Sequence, residues 1–454
     1  MTPRACGFVV ATLLIAAAPP ASGAETPPLV AAARAGDMAA VRALLDAGAD
    51  VTGVEADGTT ALHWAAYHDD PRLLDRLIAA GAEVDAANDL GVTALWTASQ
   101  NGSLEVVERL LGAGADPDRA LLSGETPLMV AARVGAAAAV GRLLEAGAAV
   151  DARATRGQTA LMWAAAQRHP EVVSVLLAHG ADLHTRSDTW SQMMAVPPHG
   201  QPEYNRRIPH GGNTALLFAA RDGAVESARR LIAAGADVDD TNAWGVSAVT
   251  LAAHAGYGEI VALLLEAGAD ASAGEAGFAA LHAAILRRDE AMVASLLAHG
   301  ADPNAPLRTW TPTRRSSSDF NFAPPLVGAS PFWLAARFTA PGIMRLLADH
   351  GADPLAVHHA DYKDPNYARP VREATTALMA AVGMGGGRLG AWVPPARDEV
   401  EPQTLDAVRL ALDLGVDVNA TDTEGRTALD GARRNRLDAV AALLESRGAV
   451  AGTP

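Results

Sequence analysis

The sequence predicts an all-α repeat solenoid of about eleven helix-pair units interrupted by four long inserts, and three observations carry that prediction. The first is a fixed step. Leu29, Leu62, Leu95, Leu128 and Leu161 recur every 33 residues, and Gly48, Gly81, Gly114, Gly147 and Gly180 keep the same interval, the signature of stacked structural repeats. The second is text repeated at that step: Gly58-Thr59-Thr60-Ala61-Leu62-His63-Trp64-Ala65-Ala66 returns as Gly91-Val92-Thr93-Ala94-Leu95, Gly124-Glu125-Thr126-Pro127-Leu128 and Gly157-Gln158-Thr159-Ala160-Leu161. The third is composition. Half of the 454 residues are hydrophobic but only 4% are aromatic, so small aliphatic side chains carry the burial, which suits stacked helices.

Each element of a unit follows from its residues. Threonine or serine opens the first helix, where a side-chain oxygen satisfies orphan amides. Leu62, Ala65 and Ala66 fall on one helical face, and the alanines let neighbouring helices approach closely. A second helix such as Val106-Val107-Glu108-Arg109-Leu110-Leu111 has apolar residues at helical spacing with charges opposite. Gly114 then supplies a left-handed stop, and Ala115-Asp116-Pro117 turns the chain outward. No unit buries its own apolar face, so units stack into one continuous core.

These halves, Gly-x-Thr-Pro-Leu-His-x-Ala-Ala and Leu-Leu-x-x-Gly-Ala-Asp, are similar to those of the ankyrin repeat. The resemblance covers nearly the whole chain after its first residues. It implies a helix-turn-helix plus an outward β-hairpin per unit, and it implies that His63 and His282, at the Leu-His position, make hairpin and inter-repeat hydrogen bonds. Repeats one to five are expected over 27–184, six to eight over 212–304, the ninth over 328–354, and the tenth and eleventh over 375–450. Arg433, Arg434, Arg436 and Glu445 give the last repeat the polar look of a cap.

The N-terminus reads as a secretory signal peptide over 1–24. Arg4 precedes the apolar run Phe8 to Ala18, and Ala21-Ser22-Gly23-Ala24 lead to Glu25. That run is shorter than the about 20 residues of a membrane-spanning helix, and Pro19-Pro20 end it. A periplasmic or secreted location is therefore expected, without integral membrane insertion. The only cysteine, Cys6, would leave with the signal. The mature chain would then have no thiol and no disulfide. Net charge is −16, and Lys363 is the only lysine. Such a chain is a poor partner for nucleic acid, whose binding neutralises phosphates.

The inserts are 185–211, 305–327, 355–374 and 385–403. The first three follow a Gly-Ala-Asp signature, so they should project with the hairpins beside the concave face. The fourth divides the two helices of one unit and should emerge at the opposite end of the pair. Together they hold Trp190, Tyr204, Trp310, Phe320, Phe322, Tyr362, Tyr367 and Trp392. Flexible spacers lack these. Arg206, Arg207, Arg314 and Arg315 add donors for carboxylates. The first two inserts are expected to converge on the concave face as an aromatic floor with an arginine rim, or to fold back and plug the groove.

Catalytic patterns are sparse. Gly385-Gly386-Gly387-Arg388-Leu389-Gly390 fits G-x-G-x-x-G in form, but a dinucleotide fold needs a strand before it. His358-His359-Ala360-Asp361 has metal-ligand types, although such loops are more often solvated. The chain is read as no enzyme and as needing no cofactor or metal. Candidate partner-binding residues follow the Ala-Ala pair of each first helix, where ankyrin proteins commonly contact partners: Tyr67, His68, Gln100, Asn101, Arg133, Gln167, Arg221, Asp222, His254, Arg337 and Phe338. Hairpin-tip residues Leu90, Arg156 and Trp244 join them, with Trp190, Tyr204, Arg206, Arg207, Trp310, Arg314, Arg315 and Phe320 from the inserts. The expected function is a scaffold that docks a partner protein or extended peptide. The alternatives are a small-molecule or glycan receptor built on the aromatic inserts and, by analogy with some exported bacterial ankyrin proteins, an accessory protein of a periplasmic enzyme such as a catalase.

Overall fold

A hydroxyl cap opens the first helix of the second to fifth repeats. Thr60, Thr93, Thr126 and Thr159 accept the amides of His63, Trp96, Met129 and Met162, three residues on. Such a cap is worth about 1 kcal/mol, and it fixes where each short helix begins. The computed structural model describes residues 26–194, 205–311, 321–363, 369–386 and 392–453. The expected signal peptide and Cys6 lie outside them, as do Tyr204, Arg314, Arg315, Phe320 and Tyr367.

The described residues form helix pairs in two compact units, Met1–Asp188 with Thr214–Ala236, and Thr189–Asn213 with Asp237–Pro454. The first unit pairs α1 (Pro28–Arg34) with α2 (Met38–Asp46), α3 (Ala61–Tyr67) with α4 (Pro71–Ala79) and α5 (Ala94–Asn101) with α6 (Leu104–Gly112). It continues with α7 (Pro127–Val134) and α8 (Ala137–Glu145), α9 (Ala160–Ala166) and α10 (Pro170–Ala178), and α11 (Ala215–Asp222) and α12 (Val225–Ala233). The second unit pairs α13 (Ala248–Ala255) with α14 (Gly258–Glu266), α15 (Ala280–Arg287) with α16 (Glu290–Ala298) and α17 (Pro331–Arg337) with α18 (Pro341–Asp349). Its last pairs are α19 (Ala377–Ala381) with α20 (Val400–Asp413), and α21 (Ala428–Arg434) with α22 (Asp438–Ser446). Helix α20 starts at Val400, inside the span expected as the fourth insert.

Within each unit the first helices pack on one another in chain order, α1 through α11 and α13 through α21. The second helices form the other layer, α4 through α12 and α14 through α22. The core lies between these layers. Leu62, Leu95, Leu128 and Leu161 are buried, with Ala65, Ala98, Ala131 and Ala164 beside them, and Val106, Val107 and Leu110 close the core from the second layer. The leucines of the 33-residue step are thus the repeating wedge of the core.

Two of the inserts add strands. Strand β1 (Trp190–Met194) pairs antiparallel with β2 (Arg206–His210), Trp190 opposite His210. Strand β3 (His358–Lys363) pairs antiparallel with β4 (Pro370–Thr375), His358 opposite Thr375. The second insert is clasped at its root. Leu307 donates its amide to the Ala329 carbonyl at 2.9 Å and Gly328 donates to Leu307 at 2.7 Å. Further out, the amide of Thr311 reaches the Phe322 carbonyl at 2.9 Å.

Candidate functional site

The turns between repeats are tied into a ladder in the first unit. The amide of Asp89 donates to Asp57, Leu122 to Leu90, Thr155 to Ser123 and Asp188 to Arg156, at 2.8 to 3.1 Å. Each rung joins residues about one repeat apart, so the tips form a continuous edge. Side chains on that edge stand in solvent: Leu90 is 48% exposed and Leu122 is 82% exposed, with Arg156 exposed beside them. Leu122 is absent from the sequence-based candidates. Its signal was available, since it sits one repeat beyond Asp89 in the tip register.

A second strip runs along the first helices of the same unit. Tyr67 is 50% exposed and stands edge-on to Trp64 at 5.5 Å. Arg133 reaches back along its helix to pair with Glu125 at 2.9 Å, and its guanidinium lies 5.8 Å from the Trp163 ring of the next repeat. Burial pushes the Glu125 carboxyl above its ordinary range, and Arg133 opposes that shift. Arg221 pairs with Asp222 at 2.7 Å and lies 4.8 Å over the Phe218 ring. Gln100 and Gln167 are half-buried on the same helices. The strip therefore offers aromatic rings and guanidinium groups already held in place, which lowers the entropy lost on binding.

Other candidates have internal duties. His68 Nε2 bonds the Arg34 carbonyl at 2.9 Å, and Asn101 Nδ2 donates to the Ala66 and Tyr67 carbonyls at 3.0 and 3.2 Å. These carbonyls are orphans at the C-terminal end of the preceding first helix. His169 on Arg133, Arg287 on His254 and Asn435 on Val382 repeat the arrangement. Next to the first two inserts the direction reverses: Arg168 donates forward to the Asp222 carbonyl at 2.8 Å and Arg288 to that of Thr339 at 3.1 Å.

In the second unit several candidates face the chain itself. Trp244 packs edge-on against Phe278 at 5.7 Å. His254 meets Phe322 of the second insert at 6.4 Å and Trp392 of the fourth at 5.1 Å. Phe338 is 4% exposed and has no surface to offer a partner. Arg337 donates from Nε to the Gly385 carbonyl at 2.9 Å, and burial holds its guanidinium below its ordinary basicity. Trp190 stacks on His210 of its own hairpin at 5.5 Å, while Arg206 and Arg207 are exposed on the strand opposite. Trp310 is half-buried. Of the four aromatics and four arginines expected to form floor and rim, Tyr204, Phe320, Arg314 and Arg315 lie outside the described residues.

The fourth insert departs from expectation. It leaves between α19 and α20, but its described residues 385–386 and 392 lie against Arg337 of α17 and His254 of α13. The amide of Gly386 donates to Glu373 Oε2 at 3.0 Å, and burial raises that carboxyl above its ordinary range. Gly385 and Gly386 have φ of +73° and +68°, and a Cβ on Gly385 would stand 2.7 Å from Thr375 Oγ1. The glycines thus serve a close backbone approach. What precedes them is α19, where a dinucleotide fingerprint requires a strand. Arg337 and Glu373 anchor residues 385 and 386, and Trp392 is held by Phe322, His254 and the Asn321 carbonyl. His358 and His359 occupy adjacent strand positions and point to opposite faces. His358 is buried, 4.2 Å from the Trp333 ring, with Nε2 on the Pro325 carbonyl at 3.0 Å. The two imidazoles therefore do not converge on a metal. Among the described residues no helix is long and apolar enough to cross a membrane.

Comparison with known proteins agrees with the repeat text. A family model described as ankyrin repeats (3 copies) matches residues 9–88, 29–121, 95–187 and 216–306, and one described as ankyrin repeats (many copies) matches 161–229. A putative ankyrin repeat-containing protein of Treponema pallidum (strain Nichols) is 42% identical over 96 residues, covering 20% of this chain and 32% of that protein. The match thus spans about a third of the relative's length. The crystal structure of the human ASB11 ankyrin repeat domain aligns with 50% of this chain and 91% of its own, at 27% identity and a TM-score of 0.41.

Proposed function

The chain belongs to the ankyrin-repeat family, and from that premise we propose that it is an exported scaffold that docks a partner protein or extended peptide on its first unit. Ankyrin repeats are in general protein–protein interaction scaffolds and typically not enzymes. The observation that carries the finer reading is the tip ladder, where Leu90, Leu122 and Arg156 stand exposed in consecutive repeats. Two exposed leucines on adjacent tips, with an arginine on the next, offer a partner apolar and cationic contacts. Arginine and tyrosine nearby are common interface anchors. Export rests on the apolar run and small residues before Glu25.

The test immobilises the chain lacking residues 1–24 and exposes it to periplasmic extract of the native cell. A Leu90→Ser, Leu122→Ser, Arg156→Ser variant with an unchanged thermal melt serves as the comparison. The scaffold reading expects one protein captured in stoichiometric amount by the parent and lost with the variant. Equal capture by both, or retention of a small molecule in place of a protein, overturns it.

A further inference from the structure

We propose that the second unit carries a socket for an aromatic side chain, and that Trp392 of the same chain occupies it as an internal ligand. The socket is built from three separate stretches. His254 lies in the last turn of helix α13, Phe278 precedes α15, and Asn321 and Phe322 close the outer leg of the second insert. Phe322 is fully buried, 5.1 Å from Phe278 and 6.4 Å from both His254 and His282. Trp392 lies on this floor, 5.2 Å from Phe322 and 5.1 Å from His254, at 45° and 69°. These spacings and tilts are those aromatic pairs prefer. The indole Nε1–H donates to the Asn321 carbonyl at 3.0 Å, so the site recognises both a ring and its one polar edge.

Trp392 differs from the core in how it is held. Floor residues have partners besides Trp392: Phe278 also packs on Trp244, and His282 bonds the carbonyl of Ala305. The residues that follow Trp392 are mostly solvated. Val393, Pro394, Ala396, Arg397, Asp398, Glu399 and Val400 are all exposed, so the indole is docked at the end of a solvated segment. Trp392 itself belongs to none of the helices. Withdrawing it vacates a ring-sized site beside the first helices, where ankyrin scaffolds take partners. The vacated site suits a peptide presenting tryptophan, with Asn321 again accepting the indole N–H. The peptide half of this inference rests on the scaffold reading, and the occupancy by Trp392 does not.

The experiment deletes the ligand and resupplies it. Trp392→Gly, in the otherwise complete mature chain, is titrated with indole and with N-acetyltryptophanamide by calorimetry, beside the parent chain. The variant should bind both saturably and the parent neither. 1-Methylindole, which cannot donate to Asn321, should bind about 2- to 10-fold more weakly, as expected for loss of one hydrogen bond. Binding of indole by the parent as tightly as by the variant overturns the occupancy. A variant that folds but ignores indole shows that the socket collapses when empty, and a variant that loses cooperative folding shows Trp392 to be core. Both results overturn the proposal. Binding of indole but not of N-acetyltryptophanamide removes the peptide half alone. A chain that captures no partner protein but whose variant binds indole sinks the scaffold reading and keeps the socket.

Discussion

Replacing His282 by asparagine should remove most of one identifiable acid lability from the fold. His282 is 1% exposed, and its two ring nitrogens are committed. Nδ1 accepts the Ala279 amide at 3.0 Å and Nε2 faces the Ala305 carbonyl at 3.0 Å. Only a neutral ring protonated on Nε2 satisfies both. Protonating Nδ1 destroys an acceptor and buries a charge, and burial accordingly lowers the ring from its ordinary 6.5 to about 4. A folded-state pKa below the unfolded one means that the unfolded chain binds the extra proton. Stability from this group is therefore present above about pH 6.5 and lost as pH falls toward 4. Each pKa unit is worth about 1.36 kcal/mol, so linkage gives a loss of about 2 kcal/mol by pH 5 and about 3 kcal/mol by pH 4. Against a total stability of about 5–15 kcal/mol that loss is large. Urea melts of parent and His282→Asn at pH 7 and pH 5 measure it. The variant should be weaker at pH 7 yet lose about 2 kcal/mol less between the two pH values. It will not become flat, because burial also lowers His63 and His358. Equal losses in both chains, or an NMR titration of the His282 ring centred near 6.5, refute the reasoning.

Two further outcomes bear on fold and address. Leu128→Ala should cost about 2–5 kcal/mol, because the side chain is fully buried between repeats and its removal leaves a cavity; a denaturant midpoint matching the parent's would show that the 33-residue register does not place the core. Protein isolated from its native cell should begin at Glu25 or within a few residues of it, and N-terminal sequencing that reads an intact Met1 on a cytoplasmic chain removes the export proposal.

The repeat was legible because a helix pair with a fixed cap, wedge and stop is a local object. Thr126, Leu128 and the stop after α8 lie within one unit, so each can be read without knowing the neighbours. Even His63 followed, since its Nε2 reaches Val92 in the next copy of the same text at 2.7 Å. Partnerships across repeats were harder to see. His68 and Asn101 look like free polar groups beside a groove, and only the adjacent first helix with its orphan carbonyls turns them into caps. A search for polar residues one repeat beyond each helix end would have found them, because their partners stand 34 and 35 residues earlier.

The inserts obey no period, so nothing local states where they return. Trp392 and Asn321 are 71 residues apart and share no repeat register. Their meeting is decided by a global competition in which an indole gains more from an existing aromatic floor than from solvent. The sequence left plugging of the groove as one outcome for the inserts, and it placed the fourth at the far end of its helix pair. The structure gives the filling role on the second unit's first helices to Phe322 and to that fourth insert. The first unit has no comparable insert over its own first helices among the described residues, and its tip ladder stays exposed. The aromatics that looked most like a binding surface in the sequence are therefore partly consumed by the chain. In the scaffold reading proposed above, the surface offered to a partner includes Leu122, which is exposed at a repeat tip and was not singled out by residue type.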